Sequence, residues 1–306
     1  MDNSFHWPLL DRPMSQNDDE TKSELIQGLK SVLSTVRTKS ARGLAKFGPH
    51  ARIAIGDLFE LTSDPEQGVR EAAVQAIGSI GRETVPLLIQ LLSNPCKYVR
   101  RNAVWSLGKL GPDAVQSVRP LCNILNDPDA RTAGGAVQAL GAIGRLAVEA
   151  VPSLAETMRG TNVVLCRLAS KSLSQIGSPA LATLVTHLKH HDPFVRGEAA
   201  VALGWMGAAA SPAVPVLTDL LIGHTNVTPP KHQSGFGGSD AVTPIAIMAP
   251  QTNATSETTL LLVIQALGRI GTASVVAERH LLDLTTDSRE TISQAAAEAI
   301  RMIREG

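Results

Sequence analysis

The sequence predicts an all-α fold, an α-solenoid (superhelix) of about eight two-helix repeats, and three observations point there. A thirteen-residue phrase recurs as "VREAAVQAIGSIG" (69–81), "VRRNAVWSLGKLG" (99–111) and "VRGEAAVALGWMG" (195–207). Aligned on its closing glycine, the phrase has further copies at a near-constant period. Of the 306 residues, 43% are hydrophobic but only 3% aromatic. Burial must therefore come from Ala, Leu, Val and Ile, which suits helices that pack closely many times over.

The copies close at Gly48, Gly81, Gly111, Gly144, Gly177, Gly207 and Gly271, and Arg304 takes the slot in "ISQAAAEAIRMIR". Successive steps are 33, 30, 33, 33 and 30, then 64 to Gly271 and 33 to Arg304. A period in this range marks stacked repeats.

Within the phrase, apolar residues fall at helical spacing; Val69, Ala73, Ala76, Ile77 and Ile80 share one face. A second amphipathic stretch separates the copies, as in "TVPLLIQLLS" (84–93) and "SPAVPVLTDLLIG" (211–223). Pro86 and Pro212 suit its first turn, where a missing N–H costs little. Turns such as "SDPEQG", "NDPDA" and "HDPF" follow, with Asp64, Asp127 and Asp192 positioned to cap the next helix. Neither helix of such a pair can bury its apolar face without its neighbours. The slot eight before the closing glycine is small in nearly every copy. The slot three before it is Gly78, Gly108, Gly141, Gly204 and Gly268 in five copies. Glycine inside a helix costs about 0.5–1 kcal/mol against Ala, so something approaches closely there. Packing by the next helix is the favoured explanation, with a ligand as the other.

The "DPxxVRxxAAxALGxIG" phrase resembles HEAT repeats, in particular the PBS-lyase-like (bilin-lyase-type) subclass, over about residues 21–305. That resemblance implies a ladder in which the turn Asp and the Arg of "VR" tie neighbouring repeats. It would assign Asp64, Asp127 and Asp192, with Arg37, Arg70, Arg100 and Arg196, to structure. Ala133, Cys166, Leu260 and Ser293 replace the Arg elsewhere, so the ladder is expected to break there. The resemblance also implies that the phrase helix lines the concave wall. Such repeats serve as scaffolds, adaptors and, in some families, enzyme subunits, so fold alone does not give function.

The outward stripe of the phrase helix lies ten, six and two residues before the closing glycine. It carries seven basic residues (Arg42, Lys46, Arg101, Lys109, Arg167, Lys171, Arg269) and two acidic ones (Glu71, Glu298). The whole chain balances, with 28 basic and 28 acidic residues. Two of the three tryptophans, Trp105 and Trp205, fall on the same stripe. Exposed Arg and Trp are what protein interfaces favour, so the expected function is a scaffold or adaptor holding a protein partner with an acidic surface. The expected partner-binding residues are Arg42, Lys46, Arg101, Trp105, Lys109, Arg167, Lys171, Trp205 and Arg269. Nucleic acid is a weaker alternative, because the overall charge is neutral and seven cations spread along eight units make a sparse phosphate track. A bilin (phycobiliprotein) lyase-type subunit is the alternative that the resemblance implies, although no residue marks a bilin site.

The domain expectation is a flexible N-terminal arm over 1–20 and a repeat region over 21–306, with a loop inserted at about 223–256. "AVTPIAIMAP" (241–250) is too apolar for a solvated linker. The helix after it is also unusually apolar, with Leu260 and Leu261 where most other copies carry polar residues and Ile264 beyond them. The insertion is expected to fold over its own helix, with partner binding as the other option. "FHWPLLDRP" (5–13) could cap the first repeat or act as a docking peptide.

No catalytic, cofactor-binding or metal site is expected. His187 and His191 are four apart beside His190, but read as solvated residues at a helix end. No His-Glu dipeptide is present, which speaks against the iron-binding hydroxylases that share this repeat type. "GFGG" (235–238) reads as loop. Cys96, Cys122 and Cys166 lie far apart, arguing against a disulfide framework. With no secretory-type start and no apolar run of about 18 residues, no membrane association and a cytoplasmic location are the expectation.

Overall fold

The phrase becomes a helix because its apolar residues recur every three to four positions, and it ends because glycine follows. All seven closing glycines, from Gly48 to Gly271, have positive φ. Gly111 lies at φ 55°, ψ −127° and Gly207 at φ 57°, ψ −138°, in backbone space that side chains resist. Where Arg304 occupies the slot, the helix runs on to Glu305.

The computed structural model describes residues 16–225 and 256–305. Among these there are sixteen α-helices and no strand. Long helices carry the phrase: α2 (Ser34–Ala45), α4 (Gln67–Ile80), α6 (Lys97–Leu110), α8 (Ala130–Ile143), α10 (Val163–Ile176), α12 (Pro193–Met206), α14 (Ser256–Ile270) and α16 (Glu290–Glu305). Each follows a partner: α1 (Gln16–Gly28), α3 (Ile55–Glu60), α5 (Val85–Leu91), α7 (Val118–Ile124), α9 (Val151–Met158), α11 (Leu181–His187), α13 (Val214–Thr225) and α15 (Glu278–Leu284). The expected arm at 5–13, the loop "GFGG" and the apolar stretch 241–250 lie outside the described residues.

A 3-10 segment joins most long helices to the next short one, and its length sets the period. Where it has seven residues (Gly48–Ala54, Gly111–Ser117, Gly144–Ala150, Gly271–Ala277) the step is 33. Where it has three (Arg82–Thr84, Ser178–Ala180) the step is 30. Pro86 sits in the first turn of α5 as expected, whereas Pro212 falls inside the 3-10 segment before α13.

Two compact units divide the chain, Met1–Leu154 and Ala155–Gly306, with the boundary inside α9. In the first, α2, α4, α6 and α8 pack in order, and α1, α3, α5 and α7 each back onto the long helix that follows. In the second, α10, α12, α14 and α16 pack in order, backed by α11, α13 and α15. The core is the expected face: Val69, Ala73, Ala76, Ile77 and Ile80 are all buried, and so is every residue eight before the closing position. Burying a Leu or Ile side chain contributes about 1.5–3 kcal/mol.

The recurring glycine three before the end is a packing site. A Cβ on Gly108, Gly204 or Gly268 would stand 3.3, 3.1 or 2.9 Å from the Cα of Ala139, Ala266 or Ala299 on the next long helix. The stretches Pro193–Gly223 and Glu257–Leu284 are long and apolar enough to cross a membrane by composition. Gly207 and Gly271 break each of them into a long and a short helix, and about half of each is buried in the fold.

Candidate functional site

The ladder forms in two places. Arg37 Nε and Nη2 donate to Asp64 at 2.7 and 3.0 Å, and Arg100 reaches Asp127 in the same way at 2.7 and 2.9 Å. Such two-pronged pairs fix orientation as well as charge. Both side chains of each pair are largely buried. Arg100 holds the Asp127 carboxyl below its usual value against the pull of burial. At Asp64, burial is the largest influence and acts upward, but the Arg37 bonds and the Glu66 amide outweigh it.

The other assignments need correction. Arg70 faces a turn that carries Asn94 in the Asp position, and of the ladder contacts it keeps the bonds to the carbonyls of Asp64 and Pro65. Asp192 is not a ladder residue. It sits two positions later than Asp64 and Asp127 and caps α12, accepting from Phe194 N at 2.9 Å. His190 takes the ladder position, and its Nδ1 accepts from Asp192 N at 3.1 Å. The Asx residues there do the same: Asp64, Asn94 and Asp127 accept from Glu66, Cys96 and Asp129 N–H. Asp64 and Asp127 thus shape the turn; α8 is capped by Asp129, which accepts from Thr132 N at 2.9 Å, and α4 begins after Glu66 without a side-chain cap bond.

Of the stripe positions, Gly134 and Gly197 are buried, and most of the others lie at the surface. Arg42, Lys46, Trp105, Lys109, Arg167, Lys171, Trp205 and Arg269 are all exposed, and Arg101 is half-buried. Trp105 keeps 53% of its surface exposed and Trp205 47%, so neither ring folds down into the core. Lys109 Nζ lies over the Trp105 ring at 5.4 Å, and the Arg101 guanidinium lies 5.4 Å from the Tyr98 ring centre. One face of α6 therefore alternates aromatic and cation: Tyr98, Arg101, Trp105, Lys109.

Not every cation is free. Arg101 pairs with both oxygens of Asp129 at 3.0 Å. Thr132 first, and Arg101 after it, overcome burial and hold that carboxyl at about 2. Arg167 stands 3.6 Å from Glu198, which is buried and accepts from Ser170 Oγ at 2.6 Å. Arg42, Lys46, Lys171 and Arg269 make no ion pair among the described residues.

Sequence reasoning passed over Tyr98, although its spacing of three from Arg101 puts both on one helix face. His187 is buried, not solvated as expected, with its Nδ1 2.7 Å from Thr183 O and its ring stacked on His190. Among the described residues no His, Cys, Asp or Glu side chains gather as a metal-ligand set. Cys96, Cys122 and Cys166 are free thiols. At Cys96 burial acts upward but is outweighed by the N–H groups of Val99 and Tyr98 and by Arg70, which leave the thiol below its usual value. Burial raises Cys122 and Cys166.

This arrangement defines a class, a helical-repeat protein with a polar and aromatic stripe on its long helices. The HEAT-repeat family model matches residues 55–123, 85–170 and 160–227, more than half the chain, and the chain belongs to that family. Its fold is that of the α-solenoids. Kap121p bound to Pho4p overlays with a TM-score of 0.62 at 16% identity, covering 95% of this chain and 34% of that one. Kap121p bound to the extreme C-terminus of the phosphatase Cdc14p overlays equally well, at 16% identity over 96% and 34%. The chain thus spans about a third of the length of that karyopherin. The CpcE–CpcF complex of phycocyanin lyase from Nostoc sp. overlays at a TM-score of 0.44 with 19% identity, over 97% of both chains. No curated protein sequence matches.

Proposed function

We propose that the chain is a scaffold that holds an acidic segment of a protein partner against the exposed stripe of its long helices. The observation that carries this is the exposure of Trp105 and Trp205 on a stripe that also holds unpaired cations. In the first unit the binding residues are Arg42, Lys46, Trp105 and Lys109, with Arg101 serving mainly to hold Asp129. In the second they are Lys171, Trp205 and Arg269, with Arg167 partly engaged by Glu198. Aromatic and Arg side chains dominate binding energy at such surfaces, and carboxylates supply the complementary field. Support for a protein partner also comes from the karyopherin likeness, since Kap121p holds Pho4p and a Cdc14p segment on a fold of this class. Three separate free thiols suit a reducing, cytoplasmic setting.

The test is capture by the full chain from cell lysate, beside a Lys109→Glu/Lys171→Glu/Arg269→Glu variant. All three positions are exposed, so the variant should melt with the parent. The variant should lose the acidic proteins that the parent retains, by about tenfold or more (about 1.4 kcal/mol). Equal recovery rules the stripe out. Recovery of nucleic acid in place of protein moves the reading to a polyanion binder.

A further inference from the structure

Nine and five residues before the closing position, each long helix receives the one before it. Gly135 and Ala139 of α8 meet Val104 and Gly108 of α6, and Leu262 and Ala266 of α14 meet Gly197 and Gly204 of α12. In α2 these positions are Lys39 and Gly43, and among the described residues no long helix precedes them. Leu25 of α1 lies against Gly43, and an open cleft of about 700 Å³ remains beside it. That volume falls within the range of about 300–1,000 Å³ typical of ligand pockets. Leu25 and Phe47 give the cleft apolar walls, and Lys39, Arg42 and Lys46 surround it. These three cations are exposed and make no ion pair among the described residues, and Glu66 is the one acid on the lip.

We propose that this cleft is the anchor point for the partner: it seats one large apolar side chain of an acidic peptide segment, whose flanking carboxylates meet Lys39, Arg42 and Lys46. This rests on the scaffold reading above and names where the segment docks and what it must contain. The packing slot of the repeat accounts for part of the shape: Leu25 of α1 takes the place beside Gly43, and among the described residues no preceding phrase helix lies against Lys39. The charge explains the chemistry. A purely apolar ligand would leave three cations unanswered, and a bare polyanion would leave the apolar walls uncovered.

The experiment uses the full chain and a fluorescein-labelled nonapeptide, Glu-Asp-Glu-Asp-Phe-Asp-Glu-Asp-Glu, read by fluorescence anisotropy. Saturable binding is expected. Replacing the Phe of the peptide by Ala, or making the exposed-site variant Arg42→Glu/Lys46→Glu, should each weaken it about tenfold or more, with Lys171→Glu/Arg269→Glu staying within about twofold. Absence of saturable binding, or indifference to Arg42→Glu/Lys46→Glu, overturns the proposal. If Lys171→Glu/Arg269→Glu abolishes lysate capture while Arg42→Glu/Lys46→Glu does not, the scaffold reading stands and the anchor falls. Two other occupants would overturn it as well. One is a second copy, seen as a dimer in sedimentation that Arg42→Glu/Lys46→Glu dissolves. The other is the chain's own amino-terminal segment, seen if only a Phe5→Asp/Trp7→Asp variant binds the peptide.

Discussion

The two compact units use the same pair of helices but tie successive repeats with different chemistry. In the first unit the tie is ionic at two of the four repeats, Arg37 to Asp64 and Arg100 to Asp127, while Arg70 has Asn94 in the Asp position and Ala133 fills the remaining Arg position. In the second, the Arg position holds Cys166, Leu260 and Ser293 in three of the four repeats. Leu260 is buried there, and Leu262, two residues on, packs against Gly197. Asp287, facing a Leu instead of an Arg, pairs with Arg289 in its own turn at 2.7 Å and sits at about 2. One duty is common to both units. Arg37, Arg70, Arg100 and Arg196 each bond the carbonyls five and six residues back. Cys166 Sγ reaches the carbonyl six back, that of Gly160, at 3.1 Å, and Ser293 Oγ bonds the Thr285 carbonyl. The repeat therefore requires that the carbonyls of the turn between helices find a donor, and leaves the residue that registers one repeat on the next free to be ionic or apolar.

The sharpest break in the apolar half is Leu260→Ala. Leu260 is 1% exposed, and removing a fully buried Leu costs about 2–5 kcal/mol, the spread reflecting how far the site collapses. Urea unfolding of the full chain should show the loss, together with faster amide exchange in α12 and α14. A loss below about 1 kcal/mol, within the range of surface changes, would mean that registration in this unit lies elsewhere.

In the ionic half the matching change is Asp127→Ala, which strips Arg100 of its carboxylate and the Asp129 N–H of its acceptor. The expected loss is about 1.5–3 kcal/mol, the scale of hydrogen bonds to charged groups. Removing Arg100 as well, which also takes the donor from the Asn94 and Pro95 carbonyls, should cost less than the sum of the two single changes. Acid sensitivity has a definite sign. Folding lowers the carboxyl values of Asp64, Asp127 and Asp129, so the unfolded chain binds protons first. The stability they contribute is present above about pH 4, the ordinary carboxyl value. It is lost as the pH falls toward about 2, the folded value of Asp129. The melting temperature should drop through that window, and Asp127→Ala should flatten the drop; parallel curves would exclude the ladder as the cause.

These contrasts also mark what the sequence makes legible. Helices, their buried faces and the outward stripe follow from periodicity, because a helix face is fixed by spacing alone. The positive-φ glycines were visible as anchors for the same reason. The alternation of 30 and 33 was visible too, but its cause was not. A three- or seven-residue 3-10 joint has no strong pattern of its own. The "DP" of Asp192 imitates the ladder turn two residues out of register, since Asp192 stands four residues before Arg196 where Asp64 stands six before Arg70. Its bond to His190 Nδ1 shows which residue holds the ladder position. Arg101–Asp129 and Arg167–Glu198 join residues about one repeat apart. Their pairing depends on how adjacent helices are offset, which no single phrase encodes.

The smallest effect tests what both units share, the close approach of long helices at glycine. A Cβ at Gly268 would lie 2.9 Å from the Cα of Ala299, a backbone atom that cannot swing aside. Gly268→Ala gains about 1 kcal/mol of helix propensity and meets an overpacking cost of about 1–3 kcal/mol. A net loss of up to about 2 kcal/mol should result, with exchange quickened in α14 and α16. Gly56, in α3, has nothing within 4 Å of the same added atom, so Gly56→Ala should be neutral or stabilising by up to about 1 kcal/mol. Equal and favourable shifts in melting temperature at both positions would mean that the long helices do not depend on glycine for their spacing. Opposite signs would tie the recurrence of that glycine to the distance between neighbouring repeats.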